Sequence, residues 1–291
     1  MKKNVLAMGL ALTMALGLTA CGSSSNGSAS SGAASGSASQ NDASASAPAV
    51  DKLVLGTSAD YPPFEFHVLQ DGEDKIVGID VFLGEQIAED MGAEFEVVHM
   101  DFNNLFTLLN QGQCDMVIAA AEIDEEGVRP AAADYSDGYY SDLPPKIVVR
   151  AGDEGNYTSL EDFAGKAVGA QTATTKETIV TKYMTGADLV SMSSVVDLVN
   201  NLVYGKCDAL VLDGAVADQY LASNSDLAAV DIDMSSYVEP YRAWVAKGDP
   251  KGLLPSINET IAKVLSDGTM AMVSLMEGSR PLGSPLATQA R

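Results

Sequence analysis

Leu105-Phe106-Thr107-Leu108-Leu109-Asn110-Gln111-Gly112-Gln113-Cys114-Asp115-Met116-Val117-Ile118-Ala119-Ala120 has an echo 93 residues further on, in Leu198-Val199-Asn200-Asn201-Leu202-Val203-Tyr204-Gly205-Lys206-Cys207-Asp208-Ala209-Leu210-Val211-Leu212-Asp213. Leu105, Leu109, Gly112, Cys114 and Asp115 recur as Leu198, Leu202, Gly205, Cys207 and Asp208. In both copies leucines four apart mark one face of a helix, a glycine supplies the turn that ends it, and a short apolar strand follows. The strands are read as 116–120 and Ala209–Leu212. A unit written twice implies two lobes of like construction. The 241 residues from 51 to 291 are also more than one hydrophobic core usually serves.

Outward from this pair, strands alternate with helices, the pattern of a mostly parallel sheet covered on both faces. Residues 52–56, Lys146–Arg150 and 166–170 read as strands. Ile79–Met91 reads as a helix with Ile79, Leu83, Ile87 and Met91 stacked on one face. Residues 174–183 open with Thr-x-x-Glu (Thr174, Glu177) and 194–204 with Ser-x-x-Asp (Ser194, Asp197), side chains suited to the free N–H groups of a helix start. Leu254, Ile257, Ile261 and Leu265 space out one more amphipathic helix before Gly268. The expectation is an α/β protein of two lobes sharing a deep cleft.

Composition narrows the functions such a cleft can serve. Of 291 residues, 40 are acidic and 17 basic, a formal charge of −23. Recognition of nucleic-acid phosphates needs clustered Lys and Arg that this chain does not supply, so no nucleic-acid partner is expected. The folded surface is equally ill suited to anionic lipid. The only histidines, His67 and His99, have neither metal-ligand spacing nor a nearby Cys pair, so no metal or other cofactor is expected. There is no Gly-x-Ser-x-Gly, no phosphate-binding loop and no dinucleotide fingerprint, and no catalytic residue is assigned.

Residues 1–21 begin with Lys2 and Lys3, pass through a 14-residue apolar stretch at 5–18, and finish Leu18-Thr19-Ala20-Cys21 before Gly22. This has the form of a secretion signal, its core short of the roughly 20 residues a membrane-crossing helix needs. The ending resembles the bacterial lipobox, which implies that Cys21 becomes the lipid anchor of an extracytoplasmic protein attached to the cell membrane. Residues 22–50 hold 11 Ser, 8 Ala and 4 Gly in 29 positions, too little apolar surface for a core. As a flexible coil they would span roughly 30 Å. Cys114 and Cys207 occupy equivalent places in separate lobes, so two buried thiols are expected instead of a disulfide.

Three longer stretches, Gly56-Thr57-Ser58-Ala59-Asp60-Tyr61-Pro62-Pro63-Phe64-Glu65-Phe66, Val77-Gly78-Ile79-Asp80-Val81 and Asp134-Tyr135-Ser136-Asp137-Gly138-Tyr139-Tyr140, resemble the polar-amino-acid solute-binding proteins of ABC importers, family 3. Residues 159–169, Thr174-Thr175 and Gly205-Lys206-Cys207-Asp208-Ala209 continue the resemblance in order, over essentially all of 51–280. It implies a type II periplasmic-binding-protein fold, two lobes hinged about a cleft that closes on one ligand. Lobe 1 would comprise 51–146 and 241–291, lobe 2 147–240, with chain crossings near 146–148 and 240–244. The implied partners are a free amino acid and a membrane permease, and the implied state is a monomer.

The same resemblance assigns site residues. Arg129, five residues before Asp134, falls where the family grips the ligand's α-carboxylate. Thr174 and Thr175 match its second carboxylate contact, at a helix N-terminus. Asp213, at the end of an apolar strand, matches the acceptor of the ammonium. Tyr61 and Phe102 occupy the positions that sandwich the ligand's side chain. Trp244, near the return crossing, is placed to report closure.

In one loop the chain departs from the pattern. Where the family carries Gly or Ser and then a hydroxyl residue, this chain reads Ala119-Ala120-Ala121-Glu122, with two extra residues before Arg129. Ala120 and Glu122 are therefore candidates of altered chemistry. With the insertion placed differently, Gly127 takes the Arg position and Arg129 leaves the site. Glu122 has three readings: it holds a cationic ligand side chain, it accepts the ammonium together with Asp213, or it pairs with Arg129 and spoils carboxylate binding. The first is favoured, which points to lysine or arginine. The alternative function is an enzyme on the same fold, such as a cyclohexadienyl dehydratase, with Glu122 as the acid.

Overall fold

The computed structural model describes residues 50–278, so Cys21, the leader and nearly all of the spacer lie outside the described residues. Two five-stranded sheets share one plan. Across the first run Glu94–His99, Lys52–Thr57, Met116–Val117, Tyr241–Ala246 and Ala133–Tyr140. Across the second run Asp188–Met192, Ala167–Gln171, Ala209–Leu212, Lys146–Arg150 and Leu227–Ala229. In each sheet the first three strands are parallel and the fourth is antiparallel to both its neighbours. The reversed strand is in both cases the one that arrives from the other sheet, Lys146–Arg150 after residues 141–145 and Tyr241–Ala246 after residues 230–240.

The repeated sequence unit occupies the third strand of each sheet. Gly112 and Gly205, with φ of 73° and 69°, adopt the left-handed turn that stops each preceding helix. Asp115 then accepts a hydrogen bond from Val54 N at 2.8 Å, and Asp208 one from Ala167 N at 2.9 Å. Each carboxylate thus ties the start of its strand to the second strand of its own sheet. Cys114 and Cys207 are free and buried. Burial pushes their thiols up to about 12 and about 11, so both are inert as nucleophiles.

Helices Ile79–Met91 and Leu254–Ser266 bury Ile79, Leu83, Ile87, Ile257 and Ile261 against the first sheet. Its other face is covered by Leu105, Leu109, Phe102 and Cys114 around Trp244. The second sheet is covered by helices Val195–Val203 and Gly214–Ser223 on one side, and by Phe163, Ile179 and Met184 on the other. Each large side chain so buried stabilises by about 1.5–3 kcal/mol over its exposed state.

Several elements differ from the sequence expectation. The strand expected over 116–120 pairs only at Met116–Val117, because Ala120 turns left-handed (φ 45°) and carries the chain off the sheet. The helix expected over 174–183 is one α turn, Thr175–Thr178, widening into a π turn at Ile179–Tyr183. Thr174 caps nothing: its hydroxyl donates to Gln171 O at 2.6 Å. Ser194 does cap, accepting from Asp197 N at 3.2 Å. The buried stripe of the last long helix passes through Val264 and leaves Leu265 exposed. A third, antiparallel sheet of Asp60–Tyr61, Glu65–Gln70 and Glu73–Val77 has no counterpart in the sequence reading. Its hairpin turns at Asp71-Gly72, both with positive φ, the geometry that suits the right-handed twist of paired strands.

Candidate functional site

The loop that leaves the first sheet after Val117 is pinned from several directions. Ala120 N donates to Asp80 Oδ2 at 2.7 Å, while Tyr139 donates to Asp80 Oδ1 at 2.8 Å. The carbonyl of Ala121 accepts from Trp244 Nε1 at 3.1 Å and from Arg242 N at 3.1 Å. Such over-determination is what a non-glycine residue at positive φ needs in order to persist. It delivers Glu122, the next residue, into the interior with 4% of its surface exposed.

Asp80 is itself fully buried beside Glu65. Among the described residues no N–H or hydroxyl donates to the Glu65 carboxyl, which shares its buried site with Asp80. Burial, then the charge of Asp80, hold Glu65 well above the carboxyl range. Burial likewise raises Asp80 to about 6, against its hydrogen bonds from Ala120 and Tyr139.

From the second sheet, Asp213 follows the strand Ala209–Leu212 and heads the helix Gly214–Ser223. Its carboxylate does not cap that helix. Instead it turns toward Glu122 and accepts from the hydroxyl of Tyr61 and from the ammonium of Lys176. Lys176 also pairs with Glu122 Oε1, and its ammonium lies 3.0 Å from Thr175 Oγ1. Thr175 in turn donates to Glu122 Oε2 at 3.1 Å. A single buried ammonium thus bridges a carboxylate from each sheet. Burial works against the charge on Lys176, but Asp213 and Glu122 outweigh it and raise its pKa above the usual lysine value. Burial raises Asp213, with Lys176 opposing.

Arg129 completes the cluster. Asp124 accepts from Val128 N and Arg129 N at 2.6 and 2.8 Å, starting the short helix Val128–Ala132 and turning Arg129 inward. Its guanidinium donates to Glu122 O at 2.6 Å and to Ala173 O at 2.9 Å, and lies 3.7 Å from Glu122 Oε2. Phe102 and Phe106 flank it, ring centroids 5.3 and 5.9 Å away. Arg129 is 5% exposed, whereas Gly127, the other position weighed for it, is part of a left-handed turn at φ 69°. Beyond Arg129 opens a cavity of about 520 Å³ whose wall includes Phe102, Phe106, Ala173 and Thr174, a size suited to a small ligand.

The structure therefore gathers Tyr61, Phe102, Glu122, Arg129, Thr175 and Asp213 around one ion cluster. Ala120 supports it through its backbone, and Thr174 stands in the cavity wall. Sequence reasoning missed Lys176. The signal for it is stoichiometric: two buried carboxylates opposed by Arg129 alone leave one negative charge to be matched. Among the described residues there is no cluster suited to a metal ion, and no helix is long and apolar enough to cross a membrane.

A family model described as bacterial extracellular solute-binding proteins, family 3, matches residues 53–275. The arginine-binding extracellular protein ArtP of Bacillus subtilis (strain 168) is 32% identical over 274 residues, 93% of this chain and 95% of that protein. The ABC transporter arginine-binding protein 1 of Escherichia coli (strain K12) is 27% identical, over 78% of this chain and 91% of its own. The crystal structure of the substrate-binding protein AbpA of Streptococcus pneumoniae, bound to L-arginine, superposes with a TM-score of 0.74 at 30% identity, covering 78% of this chain and 94% of that one.

Proposed function

The chain belongs to the bacterial extracellular solute-binding proteins, family 3, and from that premise we propose that it captures a free cationic amino acid, arginine foremost, for an ABC importer. The observation that carries this reading is the convergence of Glu122 from one sheet and Asp213 from the other on a single buried cation. Such a seat is complete only when both lobes contribute. In this reading Asp213 and Glu122 receive the ligand's cationic groups, Arg129 and Thr175 its carboxylate, and Tyr61 and Phe102 its stem. Two of the relatives named above are described as binding proteins of ABC transporters, and no chemistry is proposed for the cleft.

The lobes are proposed as 51–146 with 241–291, and 147–240, hinged at the two connections. A lipid on Cys21 would hold the monomeric protein outside the cell beside its permease. Incorporation of radiolabelled palmitate, lost in Cys21→Ala, tests that anchor.

The ligand is tested by thermal melting of the purified protein, freed of carried-over ligand by unfolding and refolding, against each common L-amino acid and ornithine. Arginine at about 1,000 times its Kd should add roughly 4 kcal/mol, several degrees in Tm. Silence across the panel would sink the amino-acid reading. Turnover of prephenate or arogenate would replace it with the dehydratase.

A further inference from the structure

Lys176 occupies the place where a ligand's cation has to go. Its ammonium contacts Glu122, Asp213 and Thr175 at once, and among the described residues no other cation touches Asp213. The four side chains linked in a chain of ion pairs, Arg129 to Glu122 to Lys176 to Asp213, sum to zero when all are charged. A ligand that seats an ammonium on Asp213 must first remove the lysine, and with it one positive charge. A zwitterionic amino acid brings no net charge, so the exchange would leave one buried negative charge without a partner, which is costly. An amino acid with a cationic side chain brings a net +1 and restores neutrality. Lysine is suited to such an exchange, because its ammonium is a compact charge on a flexible stem that can withdraw while the backbone stays put.

We infer that Lys176 is a tethered competitor for the seat between Glu122 and Asp213, and that the charges it leaves behind when displaced, Glu122, Asp213 and Arg129, favour a ligand of net positive charge. This rests on the reading of the cleft as an amino-acid site. The residue tunes affinity by being displaced, in contrast to Arg129 and Thr175, which stay.

The test is calorimetric titration of the full-length protein and of Lys176→Gln and Lys176→Met with L-arginine and with L-citrulline, which has nearly the same shape but an uncharged ureido group. Circular dichroism verifies that each variant is folded. The wild type should prefer arginine to citrulline by about tenfold or more. Both variants should bind arginine about tenfold or more tighter, since apparent affinity is reduced by the fraction of molecules whose seat is already taken. A second measurement needs no variant: the ammonium resonance of Lys176 in nitrogen-15 NMR, protected in the buried cluster, should be lost to fast exchange with water when arginine saturates the protein.

Weaker arginine binding in both variants, or a protected Lys176 resonance that persists at saturation, would overturn the inference while leaving amino-acid capture intact. A wild type that binds glutamate or a neutral amino acid, with that binding lost on replacing Lys176, would do the same and make the lysine a ligand-holding group. A silent wild type beside variants that bind arginine supports a strong competitor. Silence in all three proteins overturns both readings.

Discussion

Asp80 stands one step behind the ion cluster and touches no other member of it, yet the loop bearing Glu122 hangs from its carboxylate through Ala120 N. Its pKa is raised by burial from 3.8 to about 6. In an unfolded chain the group ionises freely, so the folded state binds the extra proton between those two values, and stability falls as pH rises through that window. The effect is absent below the unfolded value and complete above about pH 6, on the order of 3 kcal/mol. Urea titrations at several pH values should show this slope in the wild type and a flatter one in Asp80→Asn. Most of the cluster was legible at this scale, because Arg129, Thr175, Asp213 and Tyr61 sit in quotable motifs. Lys176 was not, because a lysine in the first turn after Thr-Thr reads as a solvated helix residue. Only the packing of both carboxylates around it makes it interior. The altered loop was legible as an anomaly, but not the direction in which Glu122 points, which depends on Ala120 adopting a positive φ.

The elements came through where the sequence wrote them twice. Helix, glycine, cysteine, aspartate and strand at 105–117 and 198–212 repeat even the bond from the aspartate to its neighbouring strand. What the pattern overstated was the strand through Ala120, since apolar residues continue after the pairing stops. What it omitted was the small sheet, although Asp71-Gly72 is a strong hairpin signal between its two longer strands. Gly214 shows how closely one element constrains another. A Cβ there would lie 2.6 Å from Leu143 Cβ and 2.6 Å from Pro144 O, in the segment that leads from the first sheet into the second. Gly214→Ala should cost about 1–3 kcal/mol by overpacking, measured by urea unfolding. Because Asp213 is the adjacent residue, arginine affinity should fall with it. An unchanged affinity would show that Asp213 is held independently of the connection.

For the whole molecule, Trp244 is the natural reporter. It is fully buried between Phe106 and Tyr135, and its indole N–H binds the carbonyl next to Glu122. Emission should be that of a buried indole and should change in intensity as arginine saturates the protein. A flat response at saturation would mean that the loop does not move with the ligand. The position of the two connections gives such motion a mechanical meaning. In each sheet the reversed strand starts at the edge where the other strands finish, the edge that also carries Asp213 and the loop to Glu122. Tyr241, opening one reversed strand, donates to Asp142, just ahead of the other, at 2.8 Å, so the two passages are fastened side by side. Fulcrum and load are therefore neighbours. With so short an inner arm, an ångström of rearrangement among Glu122, Lys176 and Asp213 would become a larger sweep at the outer rims of the lobes. A docking partner spanning both rims would read the proposed exchange of one cation for another as a change in the gap between them.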